Sequence, residues 1–401
     1  MKKCGLLAGA LILIAGGVSW AQTIQAAETT KGKIEVVAPG KFETVFTLRK
    51  GFGDKWFDLA HDADKKRDVA PVADENGFFW VKLAAEPNPG GGSWYANPAQ
   101  KMELLESGPA RVRVRLSGWH MRYGYTEEKA AMKNLGFELT HTVYPTGAVY
   151  TSYVLDAPEP VKLHHFLVIV KSTGYWGPAG KGEGKGEVHP ASENGNDAKP
   201  GSKGPASWVL QWSDGPTYFT DLLMVFQKGA FGGTYWNEGY LDQDYRTGLN
   251  IMGLFPNNTV PQGKTNLAFM FRIADDMNGA EAAAPYAKDY RSPDTLAVSK
   301  GEVDKTDPGD LDADGYNECE GCYVLKAAAD GVAFTLHGKG IPRMEPAFKV
   351  KGWTGEAPKT IKLGDKTLTE GKEFNASVRD GVLLLQVLSP VAEDVAVTIT
   401  R

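Results

Sequence analysis

The sequence predicts an all-β chain, with one large antiparallel β sandwich followed by a small C-terminal β sandwich. Three observations carry that expectation. Past an N-terminal leader, short runs of alternating or β-branched residues are separated by Gly, Pro, Asn and Asp, the pattern of strands and turns. Helical patterning is confined to two short stretches, Glu127 to Met132 and the Ala-rich Gly279 to Lys288. A hydrophobic fraction of 42%, with 17 Phe, 15 Tyr and 10 Trp, supplies a packed core, and 401 residues suffice for a large domain and a smaller one.

The elements follow in chain order. Lys2 and Lys3 precede an apolar run from Leu6 to Val18, and Ser19-Trp20-Ala21 offers small residues before a cleavage point, so residues 1–21 read as a secretory signal peptide. Cys4 stands ahead of the apolar run, which argues against a lipid anchor. Cleavage removes two of the 44 Lys+Arg and none of the 49 Asp+Glu, moving the formal charge from -5 to -7. That balance leaves no basic footprint for general nucleic-acid binding. No later run is long and apolar enough for an integral membrane segment, so the expected product is secreted or periplasmic.

Residues 22–295 form the expected large domain. In Arg111-Val112-Arg113-Val114-Arg115-Leu116 the period is two, which puts Arg on one face of a strand and Val, Val and Leu on the other. Thr142 to Tyr150 reads as two strands joined at Pro145-Thr146-Gly147, with Pro preset for the first corner and Gly free to take positive φ. Residues 177–204 are nearly devoid of apolar side chains and read as a long mobile loop, either a passive insertion or a flap. Composition shifts near residue 295. Residues 296–325 read as an acidic junction and 326–401 as the small sandwich, with strands such as Gly331 to His337, Ala347 to Lys351 and Val395 to Thr400.

The strongest chemical motif is Asp310-Leu311-Asp312-Ala313-Asp314-Gly315-Tyr316-Asn317-Glu318. Carboxylates on alternate positions, then a Gly for a sharp turn, are the oxygen-rich arrangement that a hard cation requires. The spacing resembles the calcium loops of EF-hands and dockerins. The resemblance implies a structural Ca²⁺ held by Asp310, Asp312, Asp314, the Tyr316 carbonyl and Glu318. Gly321 stands where an EF-hand has its bidentate Glu, leaving Glu320 or a water to complete the shell. Cys319 and Cys322 are the two cysteines left after cleavage, and in an exported protein such a pair is expected to form a disulfide.

Aromatic residues recur among Gly and Asn at Trp94, Tyr95, Trp119, Tyr123 and Trp236. Their faces suit the C–H faces of sugar rings, with Arg122 and Asn237 as hydrogen-bonding neighbours. The order Gly108-Pro109-Ala110-Arg111-Val112-Arg113-Val114, then Tyr144-Pro145-Thr146-Gly147 and Val149-Tyr150, resembles the supersandwich β domains related to galactose mutarotase and found in several polysaccharide lyases. The resemblance implies a concave sheet that handles carbohydrate, and transfers no catalytic residue.

The expected function is therefore an exported carbohydrate-active protein acting on an acidic polysaccharide by β-elimination. That chemistry needs a base, an acid and a group that neutralises the uronate, roles open to His120, His141, Tyr240, Tyr245 and Arg246. Two alternatives stay open. One is a noncatalytic carbohydrate-binding or cell-envelope structural protein using the same aromatics. The other is a glycoside hydrolase using carboxylates among Glu238, Asp242 and Asp244.

Overall fold

The computed structural model describes residues 23–69, 79–86, 92–122, 131–170, 184–190, 205–213, 220–228, 232–235, 247–250 and 254–401. The chain opens with a four-stranded antiparallel meander, β1 (Gln25–Thr30), β2 (Lys33–Ala38), β3 (Phe42–Thr47) and β4 (Gly51–Asp58). Period-two patterning turns Ile34, Val36, Phe46, Phe52 and Trp56 inward, where they join the main core.

The main body is a 14-stranded sheet. Its strands are β5 (Phe79–Ala85), β6 (Trp94–Tyr95), β7 (Lys101–Ser107), β8 (Val112–Arg122), β9 (Ala131–Val143), β10 (Ala148–Ala157), β11 (Val161–Val170), β12 (Gly184–Pro190), β13 (Pro205–Ser213), β14 (Asp221–Phe226), β15 (Gly232–Tyr235), β16 (Thr247–Asn250), β17 (Thr259–Val260) and β18 (Gly263–Ala274). The order is β12-β13-β14-β18-β10-β9-β8-β6-β5-β11-β16-β15, and β15 also pairs with β13, so the sheet curls back on itself. Its inward residues fill one continuous core. The β8 alternation is as expected for Val112, Val114 and Leu116, all buried, each stabilising by roughly 1.5–3 kcal/mol. Arg111 keeps to the Arg face it shares with Arg113 but is buried there in an ion network.

The expected hairpin pairs β9 with β10, Val143 opposite Val149. Gly147 has φ 89°, and a Cβ there would sit 2.5 Å from the Ile273 carbonyl oxygen, so both conformation and space require Gly. Two expectations change. Ala131 and Met132, at the end of the expected first helix, begin strand β9, because their register on β8 buries Met132 in the core. Within 177–204, Gly184–Pro190 is an edge strand paired with β13, and the rest of that stretch lies outside the described residues.

Helix α1 (Ala280–Arg291) follows β18, with Glu281 in its first turn and Lys288 and Arg291 in its last, which complements the helix dipole. It lays Ala283, Ala287 and Tyr290 over the outward face of β13, β14 and β18, against Trp208, Leu223 and Met270. The C-terminal sandwich then has one five-stranded sheet and one six-stranded sheet. Its strands are β19 (Ala297–Lys300), β20 (Glu302–Val303), β21 (Tyr316–Asn317), β22 (Cys322–Lys326), β23 (Gly331–Leu336), β24 (Ala347–Lys351), β25 (Thr360–Leu363), β26 (Lys366–Thr369), β27 (Phe374–Arg379), β28 (Val382–Val387) and β29 (Val395–Thr400). Residues 296–325 thus supply β19 to one sheet and β20, β21 and the start of β22 to the other, and belong to this sandwich instead of linking to it. Its core and the α1 face form a single apolar cluster, so the two sandwiches pack as one body.

Candidate functional site

The acidic motif lies between β20 and β22. One oxygen from each of Asp310, Asp312, Asp314 and Glu318 falls within 4.8 Å of the others. Backbone geometry holds them there. Asp310 accepts from the N–H groups of Asp314 (3.2 Å) and Gly315 (2.8 Å), Asp314 from Tyr316 N (2.8 Å), and Glu318 from Leu311 N (2.9 Å). Burial pushes the Asp314 carboxyl up to about 6 and Glu318 up to about 7, with the neighbouring carboxylates adding to each. Lys228 approaches Asp312 at 3.4 Å from the rim. Oxygen donors with a surplus of negative charge suit a hard cation such as Ca²⁺. The Tyr316 ring is buried against Tyr323, which leaves its backbone carbonyl as the group for such a shell.

Glu320 does not complete that shell. Its carboxylate accepts from Arg111 Nη1 (2.7 Å) and faces Lys349 Nζ (3.1 Å) and Arg113 Nη2 (3.3 Å). Burial alone would raise this carboxyl, but Arg111, Arg113 and Lys349 outweigh it and hold it well below the usual carboxylate range. The expected disulfide is also corrected: Cys319 and Cys322 are free, buried thiols. Their side chains have different neighbours. Cys319 accepts a hydrogen bond from Asn266 Nδ2 on β18 (3.3 Å), whereas Cys322 packs with Tyr144, Ala148 and Ala347. Burial pushes both thiols up to about 12, so neither is a thiolate at neutral pH.

The two candidate histidines are core residues. His120, 0% exposed, pairs its Nδ1 with the Leu135 carbonyl (2.9 Å) and its Nε2 with the Tyr153 hydroxyl. His141, also 0% exposed, stacks on Phe52 between Phe46 and Phe79 and bonds Thr151 Oγ1 at 2.8 Å. Burial holds them neutral, His120 at about 4 and His141 at about 3. Side chains without exposed surface cannot touch a polymer, so the structure removes both from the catalytic set. Tyr123, Trp236, Asn237, Glu238, Tyr240, Asp242, Asp244, Tyr245 and Arg246 lie outside the described residues.

The remaining aromatics divide. Trp94 packs partly into the core, and Tyr95 joins Trp80, Leu167 and Ile169 in a small outward cluster on β5, β6 and β11. Arg122 is exposed at the end of β8. Trp119 is 38% exposed, the one large hydrophobic side chain so exposed among the described residues. It lies opposite Gly136 of β9, where an added Cβ would sit 3.5 Å from the indole, an ordinary van der Waals contact. Gln100 holds the Trp119 backbone from both sides, accepting from its N–H and donating to its carbonyl. Around it on the same outward face stand Arg115, Ser117, Glu138, Asp156 and Lys264, with Lys264 on Glu138 at 3.1 Å and Arg115 on Glu138 at 3.5 Å. An exposed aromatic plane on a strand face that also carries donors and acceptors can take a sugar ring.

Sequence reasoning passed over His61, which sits in a polar pocket between Asp58 and Asp275. The local string Asp58-Leu59-Ala60-His61 carried a hint, since Asp and His three residues apart can meet within one turn; the third partner is more than 200 positions away.

No protein-family model matches the chain, and no curated protein matches its sequence. Among solved structures, galactose 1-epimerase from Lactobacillus acidophilus NCFM superposes with a TM-score of 0.34 at 9% identity, covering 64% of this chain and 99% of that one. The periplasmic domain of Thermotoga maritima YidC gives 0.31 at 10% identity, over 67% of this chain and 92% of that one. A polysaccharide lyase gives 0.34 at 9% identity, over 94% of this chain and 46% of that one. Likeness of this degree is one of broad β architecture, and no residue role is taken from any of the three. Among the described residues no helix is long and apolar enough to cross a membrane.

Proposed function

We propose that the protein is an exported, noncatalytic glycan-binding protein, with Trp119 as the stacking platform and the acidic loop as a structural Ca²⁺ site. The observation that carries the reading is the exposed Trp119 indole opposite Gly136, on a strand face that also carries Arg115, Ser117, Glu138, Asp156 and Lys264. Export rests on the N-terminal pattern of Lys2, Lys3 and the apolar run before Ala21. The Ca²⁺ site rests on the four converging carboxylates in the turn between β20 and β22, beside the contact of Glu320 with Arg113 of β8. Burial of His120 and His141 weighs against β-elimination by either.

The test mixes mature protein with a panel of acidic and neutral polysaccharides and follows retention, ultraviolet absorbance of unsaturated uronate ends, and new reducing ends. The expected result is retention without absorbance or reducing ends. Trp119→Ala should weaken retention about tenfold, equivalent to about 1.4 kcal/mol, with the fold intact. Growing absorbance would replace this reading with a lyase and send mutagenesis to Tyr240, Tyr245 and Arg246. Reducing ends alone would replace it with a hydrolase and direct attention to Glu238, Asp242 and Asp244.

A further inference from the structure

A pocket of about 350 Å³ opens where the N-terminal meander, the end of β18 and the C-terminal sandwich meet. His61 lies between two of its carboxylates. Nδ1 lies 2.9 Å from Asp58 Oδ2, and Nε2 lies 3.1 Å from Asp275 Oδ2. Asp58 is itself fixed, accepting from the N–H groups of Ala60 (3.0 Å) and His61 (3.2 Å) and from the Thr220 hydroxyl (3.2 Å). The imidazole therefore has one nitrogen oriented by a rigid carboxylate and the other turned to a second carboxylate.

The far wall is equally constrained. Arg272 is buried between Asp276 (Nε to Oδ1, 3.1 Å) and Glu345 of the C-terminal sandwich (Nη1 to Oε2, 2.9 Å), with the Tyr286 ring beneath it at 4.1 Å. Four carboxylates thus face the space against Arg272, Lys41 and His61. Burial, with Asp58 and Asp276 adding, raises the Asp275 carboxyl despite the opposing effect of His61. A wall dominated by fixed acceptors favours a ligand that brings donors and disfavours one that brings negative charge. Leu388 and Ile273 add apolar surface, and the volume lies at the lower end of small-molecule sites, large enough for a sugar ring.

We propose that this pocket binds a single non-anionic sugar unit, neutral or amino-substituted, whose hydroxyl or ammonium hydrogens donate to Asp275 and its neighbours while Leu388 covers a C–H face. The site is distinct from the Trp119 platform and from the acidic loop, and it stands whether or not the platform binds glycan. Glu345 and Leu388 come from the C-terminal sandwich, so an occupant bridges parts of the chain that are remote in sequence.

The test measures thermal stabilisation and saturation-transfer NMR of the mature protein with glucose, glucosamine and galacturonate. Glucose or glucosamine should raise the midpoint and receive saturation, and galacturonate should bind at least tenfold more weakly. Leu388→Trp, which fills the pocket while leaving every carboxylate in place, should abolish binding, and Asp275→Asn should weaken it at least tenfold. Trp119→Ala should leave it unchanged. The proposal is overturned if neither glucose nor glucosamine binds, if galacturonate binds as well as either, if Leu388→Trp retains binding, or if Trp119→Ala removes it.

Discussion

Replacing Glu320 by Ala takes away the carboxylate that ties β8 of the large sandwich to β24 of the small one. The side chain accepts from Arg111 Nη1 at 2.7 Å and faces Lys349 Nζ at 3.1 Å and Arg113 Nη2 at 3.3 Å. Breaking a buried ion pair by removing one partner costs about 3–5 kcal/mol, because the other charge stays buried. Here each cation keeps some relief: Arg111 retains Glu106 at 3.1 Å, Lys349 retains Asp307 at 3.2 Å, and Arg113 reaches water. The expected loss is therefore at the lower end, about 3 kcal/mol at pH 7. Glu320→Gln, which keeps an acceptor oxygen, should cost less, about 1.5 kcal/mol. The folded carboxyl is held below its unfolded value, so its contribution is fully present above the unfolded pKa of about 4.3 and is lost as pH falls from there towards the folded value. Urea unfolding at pH 7 and pH 3 measures both effects, and the difference between wild type and Glu320→Ala should shrink at the lower pH. A loss under about 1 kcal/mol at pH 7, or one that does not shrink in acid, refutes this account of the junction.

Further expectations concern the other buried groups. His120 and His141 are held neutral at about 4 and about 3, so their contributions are complete above the unfolded pKa of about 6.5 and lost as pH falls below it. Each should remove about 1.4 kcal/mol per pH unit through that window, and His141→Phe should flatten the profile by one proton, as read by urea midpoints from pH 7 to 5. A thiol reagent should find neither Cys319 nor Cys322 in native mature protein and both in denaturant, with or without prior reduction; a reductant-dependent count would show that they pair. Ca²⁺ at about 100 times its Kd should stabilise the mature protein by about 2.7 kcal/mol, and Asp314→Asn should abolish most of that response. Because Asp314 and Glu318 are raised to about 6 and about 7, Ca²⁺ binding near pH 6 should release protons, detected as a dependence of the calorimetric heat on buffer ionisation enthalpy.

The sequence by itself determined what repeats locally. The period of two in Arg111 to Leu116 assigned the dry face of β8, Pro145-Thr146-Gly147 marked the hairpin, and Asp310 to Glu318 brought its carboxylates together because the spacing and Gly315 act within nine residues. Alternation says which face of a strand a residue takes, and only the fold says what covers that face. His120 and His141 belong to strands whose sides are closed by Tyr153 and by the Phe46, Phe52 and Phe79 cluster, so tertiary packing turned two apparent catalysts into core residues. Arg111 keeps the face it shares with Arg113, and that face is buried at Arg111 because Glu320, 209 positions later in sequence, packs against it. Cys319 and Cys322, neighbours in sequence, were separated because β18 claims one and the Tyr144 cluster the other. The pocket at His61 needed Asp275 and the C-terminal sandwich to close it. Contacts within one turn or hairpin are encoded by spacing, whereas contacts between distant segments arise only when the sheets pack, and no local pattern records which segments will meet.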